Sequence, residues 1–297
     1  MLGRTPTRGW TTERMPRQDG RTFVVTGASG GLGLATATAL AGAGARVVVA
    51  VRNVDKGRAV IDGVPGDFVL RRLDVADLSS VRAFADETER VDVLVNNAGV
   101  MSLPRSRTVD GFETQLATNH LGHFALTNLL LPRLTDRVVT IGSDAHRSGV
   151  LDVADLFFDR RPYRPYAAYA ASKLANVSFL GELQRRLTAA GSTLRSVGAH
   201  PGYTSTGIQV STGSAAFNRI GALGNRVVGM PVARGVQPAL FAATMDVPGN
   251  SYFGPHGPME LWGSPVPVGR SEMASDPDLA KELWARSESL TGISWPL

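Results

Sequence analysis

The run Thr22-Phe23-Val24-Val25-Thr26-Gly27-Ala28-Ser29-Gly30-Gly31-Leu32-Gly33, continuing into Leu34-Ala35-Thr36-Ala37-Thr38-Ala39-Leu40-Ala41, decides the fold. Its first five residues are rich in β-branched and aromatic side chains, the composition of a short buried strand. From Leu32 the small residues and leucines suit a helix that ends near Gly42 and Gly44. A strand, a glycine turn and a helix in that order make an anion site, because the first amides of a helix have no partner within it. Gly27 permits the tight turn, Gly31 lets the backbone approach a pyrophosphate, and Gly33 lets the helix pack on the strand. A glycine trio is often an ordinary loop in a chain with 33 glycines, but the flanking strand and helix favour a bound dinucleotide.

Further strands follow at regular intervals. Arg46 to Val51 ends at Arg52-Asn53, and Phe68 to Leu73 ends at Asp74-Val75. Val91 to Val95 runs into Asn96-Asn97-Ala98-Gly99, and Arg137 to Gly142 ends at Ser143. Leu194 to Ala199 precedes His200-Pro201-Gly202, and Ser251 to Phe253 is the last strand. Helical segments separate them, including Phe112 to Leu134 and Pro277 to Leu290. The alternation predicts an α/β fold: a doubly wound parallel sheet of about seven strands in one domain, residues 20–297. Residues 1–19 read as a flexible extension, with Trp10 able to dock on the body.

About twenty residues past the glycines, an NAD site usually carries an acidic side chain for the ribose. Here Arg52 stands at that place, and a guanidinium suits a 2′-phosphate. NADP(H) is therefore preferred, with NAD(H) possible, and Ser29 offers a hydroxyl to the same phosphate. Asp74 is placed either to accept from an adenine amino group or to cap the next helix. Asn96 and Asn97 suit structural support of the central sheet, and Ala98 and Gly99 leave room for a ribose.

Tyr169 and Lys173 stand four apart in Tyr-Ala-Ala-Ser-Lys, so phenol and ammonium share a helix face. A neighbouring ammonium favours the phenolate, lowering the tyrosine pKa towards a range useful for proton transfer.

Taken in order, these motifs resemble the short-chain dehydrogenase/reductase family, from about Gly20 to Gly254. The carriers are Thr26-Gly27-x-x-x-Gly31-x-Gly33, Asp74-Val75, Asn96-Asn97-Ala98-Gly99, Asn119, Ser143, Tyr169-x-x-x-Lys173 and Pro201-Gly202. Asp110-Gly111-Phe112-Glu113, Asn119-His120-Leu121-Gly122-His123-Phe124 and Ser172-Lys173-Leu174-Ala175-Asn176 are similar to its retinol-dehydrogenase-like branch.

The resemblance implies a Rossmann-type fold and an NAD(P)-dependent oxidoreductase acting on a carbonyl or alcohol of a mainly apolar small molecule. Tyr169 would be the acid/base, Lys173 would hold the nicotinamide ribose, and Ser143 would orient the substrate oxygen. Asn119 would bend its helix and anchor a water that links Lys173 to solvent. Pro201, Gly202, Thr204 and Thr206 match the segment holding the carboxamide, and residues 204–230 match a substrate lid. A homodimer is a family-level expectation. The 25 residues between Ser143 and Tyr169, a length found in this branch, should pack beside the substrate opening. The other reading of the scaffold is a non-catalytic NAD(P)-binding sensor, which would need the glycine turn but not the four-residue set.

Composition narrows the field. Zero cysteines remove disulfides and thiolate metal sites, in keeping with a cytoplasmic protein. His120 and His123 lack a third ligand pattern, so no metal is expected. The net charge of +5 comes from 28 scattered arginines and three lysines rather than a stripe, which argues against nucleic acid. No run of apolar residues is long enough for a membrane anchor.

Overall fold

The computed structural model describes residues 9–203 and 231–297. Its eight strands form one sheet in the order β3-β2-β1-β4-β5-β6-β7-β8. The strands are β1 (Thr22–Thr26), β2 (Arg46–Val51), β3 (Asp67–Arg72), β4 (Val91–Asn96), β5 (Leu134–Ile141), β6 (Arg195–Ala199), β7 (Tyr252–Pro255) and β8 (Pro265–Pro267). The first seven pair in parallel, as the alternation requires, and β8 runs antiparallel along β7. That eighth strand adds to the about seven that the sequence alternation predicts, beyond Ser251 to Phe253. Its two prolines mute the strand pattern and are tolerated because β8 is the sheet edge.

The helices in chain order are α1 (Gly31–Gly42), α2 (Val54–Ile61), α3 (Leu78–Asp86), α4 (Thr114–Leu116), α5 (Gly122–Leu130) and α6 (Pro165–Ala189). After the undescribed residues come α7 (Val232–Gly235), α8 (Gln237–Thr244), α9 (Glu272–Ser275) and α10 (Pro277–Thr291). Side chains alternate across each strand, so both sheet faces need cover. Phe23 and Val25 pack with Leu40 and Phe241 on one face, while Val24 packs with Phe124 and Phe179 on the other. Trp284 of α10 completes the second face, stacked on Phe179 at 5.6 Å and edge-on to Phe124 at 4.9 Å.

Two sequence expectations are corrected here. The helix expected over Phe112 to Leu134 begins at Thr114, where the Glu113 carboxylate accepts from the amides of Gln115 and Leu116. It passes through a π-helical stretch, Ala117–Leu121, and ends at Leu130. Pro132 then sits in a short 3₁₀ turn, and β5 starts at Leu134, three residues before the expected strand. The second correction concerns Asp74. The cap of α3 is Asp77, which accepts from Ser79 and Ser80, while the Asp74 carboxylate accepts from the Ala76 amide, so of its two readings the cap falls away.

Trp10, in the segment expected to be flexible, is 2% exposed and meets Phe241 edge-on at 5.4 Å. Among the described residues no helix is long and apolar enough to cross a membrane.

Candidate active site

The sheet order reverses between β1 and β4, and the candidate residues collect at the carboxyl ends of these strands and of β5 and β6. In the glycine turn Gly27 and Gly31 have φ of +69° and +54°, the left-handed region that side chains resist. A methyl on Gly27 would stand 2.8 Å from Ala98 Cα, and one on Gly33 would stand 2.5 Å from Asn97 Nδ2. The turn therefore presses directly on the end of β4. Gly30 opens onto free space just before α1, whose first amides have no partner within the helix, and this fits a dinucleotide pyrophosphate.

Thr26 joins the two strand ends. Its hydroxyl oxygen accepts from the amides of Asn97 and Ala98, both at 2.9 Å. Asn97 Nδ2 returns a bond to the Thr26 carbonyl at 2.8 Å, and Asn96 Nδ2 reaches Thr127 on α5 at 2.9 Å. The structural part expected of both asparagines is thus visible. Behind Thr26 lies His123, its Nε2 2.9 Å from the hydroxyl and its Nδ1 3.0 Å from the Asn119 carbonyl.

Asn119 occupies the π-helical stretch. Its side-chain amide pairs with the Val100 backbone in both directions, accepting at 2.8 Å and donating at 2.9 Å. It also donates to Ser172 Oγ at 2.8 Å, and Ser172 donates to the Tyr169 carbonyl at 2.7 Å. A π turn widens the helix by one residue and leaves carbonyls to find other donors. His123, one turn on, takes the carbonyl of Asn119.

Tyr169 and Lys173 lie on α6, buried at 7% and 5% exposure. Lys173 Nζ donates to the Ile141 carbonyl at 3.1 Å, next to Asn176 Nδ2 at 3.3 Å. A methyl on Gly99 would be 3.1 Å from Asn119 Oδ1 and 3.6 Å from Lys173 Nζ, so both side chains flank this glycine. Ser143 follows β5 and caps a short turn, its Oγ accepting from Ala145 N at 3.2 Å.

The electrostatics differ from the sequence expectation at one point. Burial raises the Tyr169 pKa, and the nearby Ser143 hydroxyl opposes it, while Lys173 Nζ lies 6.0 Å from the ring centroid. Burial also lowers Lys173 to about 8. Desolvation thus outweighs the pairing expected from four-residue spacing, because both groups leave water together. The two histidines stay neutral for the same reason, burial pushing His123 to about 4 and His120 to about 3.

Leu32, Asn97 and Pro201 line one crevice with Ile141 and Ala199. Arg52 and Asp74 sit outside it, at the ends of β2 and β3, with the Arg52 side chain exposed. Val75 is buried beside α5, whose Gly122 could not carry a methyl without falling 1.8 Å from the Val75 carbonyl. Ser29 is half-buried in the turn, and Gly202 has φ +63°. Thr204, Thr206 and the lid assigned to residues 204–230 lie outside the described residues. Gly142 leaves room for Tyr252: a methyl there would meet the Tyr252 hydroxyl at 2.3 Å.

The long segment between Ser143 and Tyr169 buries Leu151, Val153, Leu156 and Phe158 among Leu116, Leu121 and Leu174. Gln115 Nε2 donates to Tyr163 Oη at 2.8 Å, tying the segment to the start of the Asn119 helix. Sequence reasoning passed over His123, Ser172 and Asn176 as site residues. The available signal was their spacing, since His123 is four past Asn119 and the other two lie within seven residues of Tyr169.

A family model described as short chain dehydrogenase matches residues 21–216. Human retinol dehydrogenase 13 is 39% identical over 300 residues, covering 93% of this chain and 86% of that protein. Mouse polyprenol dehydrogenase is 39% identical over 298 residues, covering 94% and 86%. A crystal structure of an uncharacterised Mycobacterium paratuberculosis protein superposes with a TM-score of 0.86 at 49% identity, covering 97% of this chain and 100% of that one. Another, described as an NAD(P)-dependent gluconate 5-dehydrogenase from Beutenbergia cavernae with NADP at low occupancy, gives 0.57 at 30% identity over 77% and 91%. The chain belongs to the short-chain dehydrogenase/reductase family, on its retinol-dehydrogenase-like branch. It is accordingly an NAD(P)-dependent dehydrogenase acting on CH–OH groups.

Proposed function

We propose that this protein interconverts a carbonyl and an alcohol on a mainly apolar small molecule, with NADP(H) as cofactor and Tyr169 as the acid/base. The observation that carries this reading is the gathering of Asn119 Oδ1 and Lys173 Nζ around Gly99, with Tyr169 one turn before Lys173 on the buried face of α6 and Ser143 at the end of β5.

The cofactor-binding residues would be Gly27, Ser29, Gly31, Leu32 and Gly33 at the pyrophosphate end, with Arg52 for the 2′-phosphate. Asp74 and Val75 would face the adenine, Asn97, Ala98 and Gly99 the adjoining ribose. Lys173, Pro201, Gly202, Thr204 and Thr206 would serve the nicotinamide end. When bound, the cofactor supplies or accepts a hydride. Tyr169 moves the proton, giving it to the substrate oxygen in reduction and taking it from the hydroxyl in oxidation. Ser143 donates to the same oxygen and stabilises charge developing there. Lys173 supplies a positive charge near the phenolate, and Asn119 holds the Val100 backbone and the Ser172 hydroxyl in register with it.

An apolar substrate is supported by exposed Tyr166 one turn before Tyr169, and by Met259 and Trp262 on the loop that bonds Tyr203. The test is a panel of carbonyls and alcohols followed at the nicotinamide absorbance, with Tyr169→Phe beside the wild type. The variant should lose at least about a thousandfold in kcat while binding NADPH within about twofold. Retained turnover would remove Tyr169 from its role. Equal or tighter binding of NADH than NADPH by the wild type would overturn the cofactor preference.

A further inference from the structure

The loops leaving β5, β6 and β7 are joined by a charged chain of side chains that the proposed proton transfer does not use. His200, the last residue before Pro201, is 1% exposed and places Nε2 2.9 Å from Glu260 Oε2. Its Nδ1 accepts from the Gly202 amide at 3.3 Å, so the ring proton lies on Nε2 and is given to the carboxylate. The other oxygen, Oε1, accepts from Arg147 Nη2 at 2.9 Å. Arg147 also donates through Nε to Asp144 Oδ1 at 2.8 Å and through Nη2 to the Gly269 carbonyl at 2.9 Å. Asp144 directly follows Ser143, and His200 directly precedes the Pro201-Gly202 loop. Glu260 hydrogen-bonds both arms, one carboxylate oxygen to each.

The place of Glu260 in the chain is unusual. It sits at the tip of the β7–β8 hairpin, closed by Gly257 N to the Trp262 carbonyl at 2.7 Å and His256 N to the Ser264 carbonyl at 3.0 Å. Met259 and Glu260 both hold left-handed backbone angles, φ +51° and +57°, which side-chain-bearing residues adopt only when the surroundings demand it. The same tip braces the loop after β6. Tyr203 N donates to the Leu261 carbonyl at 3.2 Å, and a methyl on Gly202 would fall 2.6 Å from that oxygen. A surface ion pair would not need two consecutive strained residues, nor a buried imidazole as its partner.

We propose that Glu260 is a positioning residue. Through Arg147 and His200 it fixes the Ser143 loop and the Pro201-Gly202 loop at one separation, so that the serine hydroxyl and the backbone of the carboxamide segment are set together. The inference rests on the proposed function for its chemical meaning, but the geometry it predicts is testable without turnover.

The experiment compares wild type, Glu260→Gln, Arg147→Met and the double variant. A glutamine offers one acceptor where two donors converge, so its amide nitrogen must face an N–H. Three readouts are taken: NADPH affinity by tryptophan fluorescence, kcat and KM on a substrate from the panel, and hydrogen exchange of residues 142–149 and 198–203 without cofactor. Glu260→Gln should weaken NADPH about fivefold, lower kcat about tenfold with KM within about twofold, and speed exchange in both segments. Arg147→Met should speed exchange in 142–149 alone. The double variant should be no worse in kcat than Glu260→Gln, because Arg147 acts through the carboxylate.

Unchanged exchange and NADPH affinity in Glu260→Gln would overturn the proposal, as would effects of the two substitutions that multiply. A lower melting temperature with wild-type kcat and affinity would reduce Glu260 to a stabilising contact and overturn it too. Should Glu260→Gln fail to fold, Arg147→Met decides: faster exchange in 142–149 supports the brace, and none refutes it. If the wild type binds neither NADPH nor NADH, the proposed function fails, while the exchange data still judge Glu260.

Discussion

The cluster of Thr26, His123 and Asn119 lies inside the protein and carries no charge, whereas Asp144, Arg147, Glu260 and His200 form a charged chain that reaches water. Both brace the carboxyl edge of the same sheet. The interior cluster can be solved atom by atom. The Asn119 carbonyl only accepts, so His123 Nδ1 must carry the proton. Burial keeps the ring neutral, so Nε2 accepts from the Thr26 hydroxyl, whose lone pairs take the amides of Asn97 and Ala98. Every group is satisfied without an ion. At the rim, long charged side chains span between loops, and water moderates the cost of their charge. Neutral groups fix distances where the backbone is already packed; charged ones hold segments that the sheet does not.

Removing the interior hydroxyl should have the largest effect. Thr26→Val keeps the β-branched shape but strands the Ala98 amide and the His123 acceptor, while the Asn97 amide keeps the Val95 carbonyl. The expected loss is about 4 kcal/mol in urea unfolding, from about 1–3 kcal/mol for each unsatisfied buried group. A loss under about 1 kcal/mol would show that the bonds at Thr26 do not hold β1 to β4.

Lys173 is the exception that sharpens the contrast, a cation placed in the interior. Its pKa is lowered from 10.5 to about 8 by burial. Below pH 8 both folded and unfolded chains hold the proton, and the folded state bears the whole desolvation cost. Between about pH 8 and 10.5 the unfolded chain binds more protons, so stability rises with pH as the folded amine discharges. Lys173→Met should therefore stabilise the cofactor-free protein by about 3 kcal/mol at pH 7, with the advantage vanishing towards pH 10.5. The Ile141 carbonyl keeps Asn176 as a donor. Destabilisation at pH 7 would mean that the ammonium is better solvated than its burial implies.

Those interior elements were largely legible in the sequence, because each is encoded within a few residues. A β-branched run before Gly27, small residues after Gly33 and Tyr169 four before Lys173 all act through local geometry. The π turn at Ala117–Leu121 was not legible, since its carbonyl partner is a histidine ring and its asparagine is held by Val100. The rise in the Tyr169 pKa was missed because spacing reports neighbours and not depth of burial. The rim chain was illegible for another reason. Arg147, His200 and Glu260 lie more than fifty residues apart, and only the parallel order of β5, β6 and β7 brings their loops together. β8 was hidden by its prolines, and the burial of Trp10 depends on Phe241 of α8.

The smallest effect should come from the outer end of the rim chain. Asp144→Asn removes a carboxylate whose side chain is 51% exposed and whose partner Arg147 is 38% exposed. Arg147 retains Glu260 and the Gly269 carbonyl, so its position does not depend on Asp144. Exposed pairs of this kind contribute about 0–1 kcal/mol, and with two other anchors the expected loss is under about 0.5 kcal/mol. NADPH affinity and kcat should stay near those of the wild type, and the small stability difference should disappear in about 1 M salt. A loss comparable to Thr26→Val would erase the distinction between the two clusters. It would mean that charge at the rim is as tightly bound into the fold as the neutral bonds beneath it, and that Glu260 shares its bracing role with Asp144.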